Sequence, residues 1–260
     1  METTKINNLE IRIFSDADGL SLAAADIFLS EGEKAIKAKN SFSVALSGGR
    51  TSQKLYELLG GKFKDRIDWS KVHIFWGDER AEKDVPEGNF QTAYQKWLKF
   101  IIAENPSFVE NIHRVKMEIG FREGAEDYEK EIERWAPNGF DLALNGAGAD
   151  GHRNGVMPDN NSAGWKNQIW EQPKNLKVWG YEMPPAVNPY TKRITLTPWF
   201  LNQSGVNVLL LAGEDKKDIL KRIVFESENY RKEDCPAITF NEVPTIILTD
   251  KPAASGLSKE

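Results

Sequence analysis

Residues 42–61 read FSVALSGGRTSQKLYELLGG, and this stretch decides the fold. Phe42-Ser43-Val44-Ala45-Leu46 is a short, mostly apolar run of the kind a buried strand requires. Ser47-Gly48-Gly49-Arg50-Thr51-Ser52 breaks it, and Leu55, Leu58 and Leu59 then form the inner face of a helix that Gly60-Gly61 closes. Strand, tight turn, helix is half of the crossover that joins parallel strands.

The pattern repeats on both sides. Residues 9–14 alternate like a half-exposed strand. Asp16 stands where a helix cap is needed, and Leu20, Ala24, Ile27 and Phe28 carry a helix to about Lys39. The apolar run VHIFW (72–76) leads directly into Gly77-Asp78-Glu79-Arg80. A loop containing Pro86, Gly88 and Asn89 follows, then a helix through Tyr94, Trp97, Leu98 and Ile101. Ala125, Tyr128, Ile132 and Trp135 mark another helix, ahead of the strand around 142–144. After a stretch of weak pattern, 178–181, 193–197, 206–212 and 245–248 read as strands, with a helix on Ile219, Leu220, Ile223 and Val224. The small, polar tail from Lys251 is expected to fray. With no repeat and no linker, residues 1–260 read as a single domain: α/β, Rossmann-like, a largely parallel sheet with helices on both faces.

Composition narrows the function. A net charge of −5 disfavours nonspecific binding to nucleic acid or to anionic membrane, and no apolar run is long enough to span a bilayer. The N-terminus lacks the basic-then-apolar order of a secretion signal, so the protein reads as cytoplasmic. The single cysteine, Cys235, excludes an internal disulfide and reads as a packing residue. Three histidines, none spaced i,i+4 with another, give no metal-ligand set. No metal and no cofactor is expected. His73 reads as a satisfied strand residue, and His113 lies in a loop with no evident neighbour.

Two turns carry most of the chemistry. Residues 140–158, FDLALNGAGADGHRNGVMP, pass from an apolar strand into four glycines that surround Asp150 and His152. Gly148 and Gly151 let backbone N–H groups approach a ligand. The imidazole of His152 is suited to take a proton from water, with Asp150 orienting it. A serine hydrolase is disfavoured, because Gly-x-Ser-x-Gly is absent. At 47–52, Gly48 and Gly49 precede a helix N-terminus that suits a phosphate, with Arg50 and Thr51 as added donors. Arg80 is placed to clamp an anion that Asp78 or Glu79 orients. In a parallel sheet, turns 47–52, 77–80, 145–155 and 213–215 share one crevice at the carboxyl ends of the strands.

Five motifs then occur in a recognisable order: residues 44–59, IFWGDER (74–80), FDLALNGAGADGH (140–152), RITLT (193–197) and LLLAGEDKKDIL (209–220). The set resembles the 6-phosphogluconolactonase family, related to the glucosamine-6-phosphate isomerase/deaminase group. The resemblance implies metal-free hydrolysis of a phosphorylated sugar lactone, 6-phosphogluconolactone, as the small-molecule partner in the pentose phosphate pathway. It implies His152 as general base beside Asp150, a phosphate loop at Gly48, Gly49 and Thr51, and anion-binding arginines at Arg80 and Arg193. The alternatives are an amino-sugar-phosphate isomerase/deaminase and a non-catalytic sugar-phosphate binder. Where the family continues Asp-Gly-His with Thr-Ala-Ser-Leu-Phe-Pro, this chain has Arg153-Asn154-Gly155-Val156-Met157-Pro158, and Arg50 stands where serine is typical. Arg153 is therefore expected to join the anion-binding residues.

Overall fold

The computed structural model describes residues 1–80 and 88–257, so Pro86 of the expected loop lies outside the described residues. The strands are β1 (Glu2–Ile6), β2 (Leu9–Phe14), β3 (Phe42–Leu46), β4 (Val72–Trp76), β5 (Asp78–Arg80), β6 (Leu142–Gly146), β7 (Val178–Glu182), β8 (Lys192–Leu196), β9 (Val206–Leu211) and β10 (Thr245–Asp250). The α-helices are α1 (Ala17–Lys39), α2 (Arg50–Gly60), α3 (Asn89–Ala93), α4 (Lys99–Glu104), α5 (Phe121–Trp135), α6 (Pro198–Leu201), α7 (Lys217–Phe225) and α8 (Lys251–Ala254). Seven strands form the main sheet in the order β1-β2-β10-β9-β6-β3-β4. All its pairings are parallel except β1 with β2. A second, antiparallel sheet has the order β5-β8-β7.

The two-residue period of the strands sorts the core into layers. Val44 and Leu46 of β3, with Val208 and Leu210 of β9, point to the layer of α1, α2 and the helical turns around Trp97. Leu209 and Leu211 of β9 point the other way, against α7, Cys235, Ala237 and Phe240. Ala45 and Ala143 also face away from α1, toward Tyr128 and Ile132 of α5, Ile194 and Leu196 of β8, and Phe200. The small sheet is thus tied to the main sheet by apolar packing, and the Gly77 carbonyl accepts from the Leu196 amide at 2.8 Å.

Local chemistry sets the helix ends. Asp16 Oδ1 accepts from the Gly19 amide at 2.9 Å, capping α1 where the sequence requires it, and Asn40 closes the helix in the left-handed conformation. α3, a π-helical turn over Tyr94–Leu98 and α4 follow one another directly.

Two expectations need correction, and one strand was not foreseen. The tail does not fray at Lys251, because Asp250 caps α8, Ala253 is buried and Leu257 packs on α7 and its neighbours. The Asp78-Glu79-Arg80 triplet is a strand. β1 is an additional strand, largely exposed at the sheet edge. Among the described residues, no helix is long and apolar enough to cross a membrane.

Candidate active site

Strand order reverses between β3 and β6: β4 lies outside β3, whereas β9 and β10 lie beyond β6. Ligand crevices form at such a switch point, outside the carboxyl ends of the strands. Here the strands also part. β3 and β6 pair only through Val44↔Leu142 and Ala45↔Ala143, while β6 stays with β9 as far as Gly146↔Leu210. A cleft of about 640 Å³ opens at this point, a size suited to a small molecule. All four turns singled out in the sequence contribute to it, through residues 47–52, Asp78 and Arg80, Asp150 and His152, and Gly213, Asp215 and Lys216.

One part of the cleft gathers groups that could bind an anion. Gly49 has φ 85°, a conformation glycine adopts freely, and no side chain caps the N-terminus of α2. The first N–H groups of α2, with the positive end of its dipole, are therefore left to a ligand. Gly48 allows Asn89 to come close, since a Cβ there would lie 1.8 Å from Asn89 Oδ1. Asn89 in turn donates to the Asp78 carbonyl at 2.8 Å, joining the turn to β5. Thr51 lines the cleft, and Arg50 stands exposed at its rim, 3.5 Å from Asp215.

The small sheet supplies the other cations. β5 and β8 pair with Arg80 directly opposite Arg193. Like charges at opposed positions destabilise a sheet unless negative charge lies between them. Asp78 supplies part of it, with Oδ2 3.3 Å from Arg193 Nη1 in a buried pair. The Arg80 guanidinium carbon lies 4.6 Å from the Tyr190 ring centre. Glu79 faces away from this work. Burial pushes its carboxyl up, against three backbone amides, those of Arg80, Asn89 and Phe90, that donate to it and hold the turn before α3.

The cleft is also lined by an imidazole–carboxylate pair, a group suited to proton transfer. His152 Nδ1 and Asp150 Oδ1 are 2.7 Å apart, close in distance although the contact is not a straight hydrogen bond. Burial alone would raise the Asp150 carboxyl, but the hydrogen bonding and charge of His152 outweigh it and hold the carboxyl down to about 2. Asp150 is thus an anion at any ordinary pH. With Nδ1 turned to Asp150, Nε2 is the ring nitrogen left for a substrate. Asn154 (φ 49°) closes the turn, accepting from the Gly146 amide at 3.2 Å and donating to Asn145 Oδ1 at 3.2 Å.

Three expected ligand contacts are placed elsewhere. Arg153 is fully buried and does not line the cleft. Its guanidinium donates to Thr239 and Asn202, because in an extended segment successive side chains take opposite sides and His152 takes the cleft side. Gly148 and Gly151 do not offer their N–H groups to a ligand either: these donate to the His152 and Gly148 carbonyls within the loop, both at 3.0 Å. Their glycine character serves packing instead. A Cβ on Gly148 would lie 2.2 Å from Asp150 Oδ1 and from the His152 ring, and Gly151 (φ 98°) sits against Cys235.

His113 also differs from expectation. Its Nε2 is 3.0 Å from His73 Nδ1 and its Nδ1 is 2.8 Å from Glu131, in a buried cluster behind the sheet. Lining residues that sequence reasoning passed over include Asn89, Asn145, Asn154 and Lys216, whose ammonium donates to the Ala147 carbonyl at 3.1 Å. The pair Gly88-Asn89 and the run Glu214-Asp215-Lys216 were the available signals. Among the described residues, no group of three or more His, Cys, Asp or Glu side chains is placed to hold a metal ion.

Fold and site define a class: an α/β protein whose switch-point cleft is lined by a glycine-rich helix N-terminus, two arginines and an imidazole–carboxylate pair. The sequence profile of the glucosamine-6-phosphate isomerases/6-phosphogluconolactonase family matches residues 15–246. The chain is 31% identical to the 6-phosphogluconolactonase of Chlamydia trachomatis over 212 residues, covering 81% of this chain and 75% of that one. It is 30% identical to a probable 6-phosphogluconolactonase 2 of Arabidopsis thaliana, over 95% of each chain. The crystal structure of the Thermotoga maritima 6-phosphogluconolactonase superposes with a TM-score of 0.72 at 26% identity, covering 92% of this chain and 98% of that one. The chain belongs to the 6-phosphogluconolactonase family, within the glucosamine-6-phosphate isomerase superfamily.

Proposed function

We propose that this protein hydrolyses 6-phosphogluconolactone to 6-phosphogluconate, with His152 as general base. The observation that supports the reading is that the Asp150–His152 pair and the Gly48-Gly49 bend line one cleft together with Arg80 and Arg193. The phosphate is held by the N–H groups opening α2, by Thr51 and by the two arginines, whose planar forks match phosphate oxygens. That grip presents the lactone ring to the opposite wall.

His152 Nε2 then takes a proton from a water, whose oxygen forms a bond to the lactone carbonyl carbon. Asp150 stabilises the imidazolium that results. Collapse of the tetrahedral intermediate breaks the bond to the ring oxygen, which receives the proton from His152 and becomes a hydroxyl. Lys216 adds positive charge at the base of the loop. None of these steps asks for a metal or a cofactor, and we place the activity in the cytoplasm, consistent with one buried, unpaired cysteine.

The test is a pH-controlled assay on freshly prepared 6-phosphogluconolactone. Hydrolysis well above the buffer rate, abolished in His152→Ala, is expected; a wild-type rate equal to buffer sinks the reading. Ammonia release from glucosamine 6-phosphate would move the protein to the deaminase branch of the superfamily.

A further inference from the structure

We propose that Arg153 is the positioning residue of this site, holding His152 toward the cleft by anchoring its loop from behind in a seat formed by Asn202, Thr239 and Phe240. The inference rests on the reading of His152 as the base and explains a residue which that reading leaves without a role.

The guanidinium is wholly enclosed. Nη1 donates to Thr239 Oγ1 at 2.9 Å, Nη2 donates to Asn202 Oδ1 at 2.7 Å, and the guanidinium carbon stands 4.1 Å from the centre of the Phe240 ring. Both acceptors are neutral, and Nε has no partner. The carboxylate in reach is Glu242, one hydrogen bond further on, accepting from Asn202 Nδ2 at 3.2 Å. A buried cation with an indirect counter-ion is costly, and an apolar side chain of similar size often packs there at no loss of stability. Burial pushes the guanidinium down to about 9 even with Glu242 nearby, which registers the same cost. Such a group is a poor choice for packing alone.

What it does follows from the backbone. Arg153 exchanges hydrogen bonds with Val156, at 3.2 and 2.8 Å, and Gly148 donates to the His152 carbonyl at 3.0 Å. The main chain is thus pinned on both sides of His152. The imidazole projects into the cleft and the guanidinium projects to the rear, so fixing one end of this lever fixes the other. The same rear wall receives Gly151, whose carbonyl accepts from the Ala237 amide at 2.9 Å. Segment 235–242 therefore backs the catalytic loop, and Arg153 is its polar bolt.

The experiment compares Arg153→Met, Arg153→Lys and Thr239→Val with wild type, by steady-state kinetics, thermal melting and the NMR chemical shifts of the imidazole signals at one pH. With three histidines in the chain, His152 is assigned by its loss in His152→Ala. Arg153→Met is expected to melt near wild type, yet to lose about tenfold to a hundredfold in kcat, the scale of an ångström's misplacement, with KM unchanged. Arg153→Lys recovers part of the loss, and Thr239→Val, on a different element, shows a smaller loss of the same kind. In Arg153→Met the His152 ring signals move toward those of Asp150→Asn, because the pair loosens.

Unchanged kcat and unchanged His152 ring signals in folded Arg153→Met overturn the proposal, as does a loss of activity that only follows the folded fraction. If Arg153→Met does not fold, wild-type kcat and wild-type His152 ring signals in Thr239→Val overturn it. A wild type without lactonase activity removes the functional reading instead, and the NMR comparison then decides Arg153 by itself.

Discussion

Gly148→Ala puts the geometry of the loop to a quantitative test. A Cβ built on Gly148 falls 2.2 Å from Asp150 Oδ1 and 2.2 Å from both Cε1 and Nδ1 of His152, whereas ordinary contact begins at 3.4 Å. The pair must therefore yield by the difference, 3.4 − 2.2 = 1.2 Å. No backbone atom is among the three nearest, and both side chains are part-exposed, so they can rotate aside without disturbing the core. Gly148 is not among the glycines with positive φ, so alanine meets no backbone strain there.

These facts separate stability from activity. Replacing glycine at a permissive position stabilises by about 0.4–1 kcal/mol through the unfolded chain, which offsets the cost of moving two exposed side chains. The melting temperature should stay within a few degrees of wild type. Misplacing a general base by about 1 Å costs roughly a hundredfold in rate, or about 2.7 kcal/mol of barrier. The expected result is kcat down about a hundredfold, KM little changed because the anion cradle lies across the cleft, and an unaltered circular dichroism spectrum. Wild-type kcat in a folded Gly148→Ala protein would refute both the placement of the pair and the use made of it.

Two further outcomes follow from other parts of the site and fold. Arg80→Ala should weaken competitive inhibition by inorganic phosphate by about tenfold or more, the worth of a charged hydrogen bond, and should raise KM more than it lowers kcat; unchanged phosphate inhibition counts against the anion cradle. The buried His73–His113 pair should make the protein acid-sensitive: burial, then His113, Arg134 and Lys39, push His73 from 6.5 to about 4, so the unfolded chain takes up protons first and stability is lost as pH falls from about 6.5 toward 4. That loss is on the order of 3 kcal/mol for His73, and His73→Gln should flatten the fall in melting temperature over this window; an unaltered slope would show that the imidazole is not held neutral.

Local pattern carried the strands β2, β3, β4, β6, β9 and β10 and the helices α1, α2, α5 and α7, because each buries a face whose period is visible in a short window. It also placed the four turns at one crevice, since topology alone dictates that. What it missed depends on distant partners. Asp78-Glu79-Arg80 is three charged residues after an apolar strand, with no strand pattern of its own; it is a strand because Thr195, Ile194 and Arg193 lie opposite it. Arg153 beside a presumed anion site reads as a ligand contact, and only Thr239, 86 positions on, and Asn202, 49 positions on, draw it away. His113 finds His73 and Glu131 for the same reason. β1 lacks a periodic signal because an edge strand with mostly exposed side chains needs none.

The two walls of the cleft hang from different supports, and this bears on how the substrate is measured. The anion cradle is carried by β3, α2 and the small sheet. The His152 loop is carried by β6 and backed by segment 235–242. Their separation is therefore set where β3 meets β6, and that seam is short. At its closed end Asp141 accepts from the Ser43 amide at 2.8 Å and from Ser43 Oγ at 3.0 Å, while Lys39 lies 2.8 Å from its other oxygen. At its open end Asn154, held by Asn145 and Gly146, packs against Gly77, where a Cβ would lie 2.5 Å from its amide nitrogen. A seam pinned at both ends fixes the gap between the arginines and the imidazole; on the proposed reading, the cleft would select by the distance from phosphate to carbonyl carbon rather than by charge alone. Lactones with a shorter tether between the two groups should then bind their phosphate without bringing the carbonyl to His152.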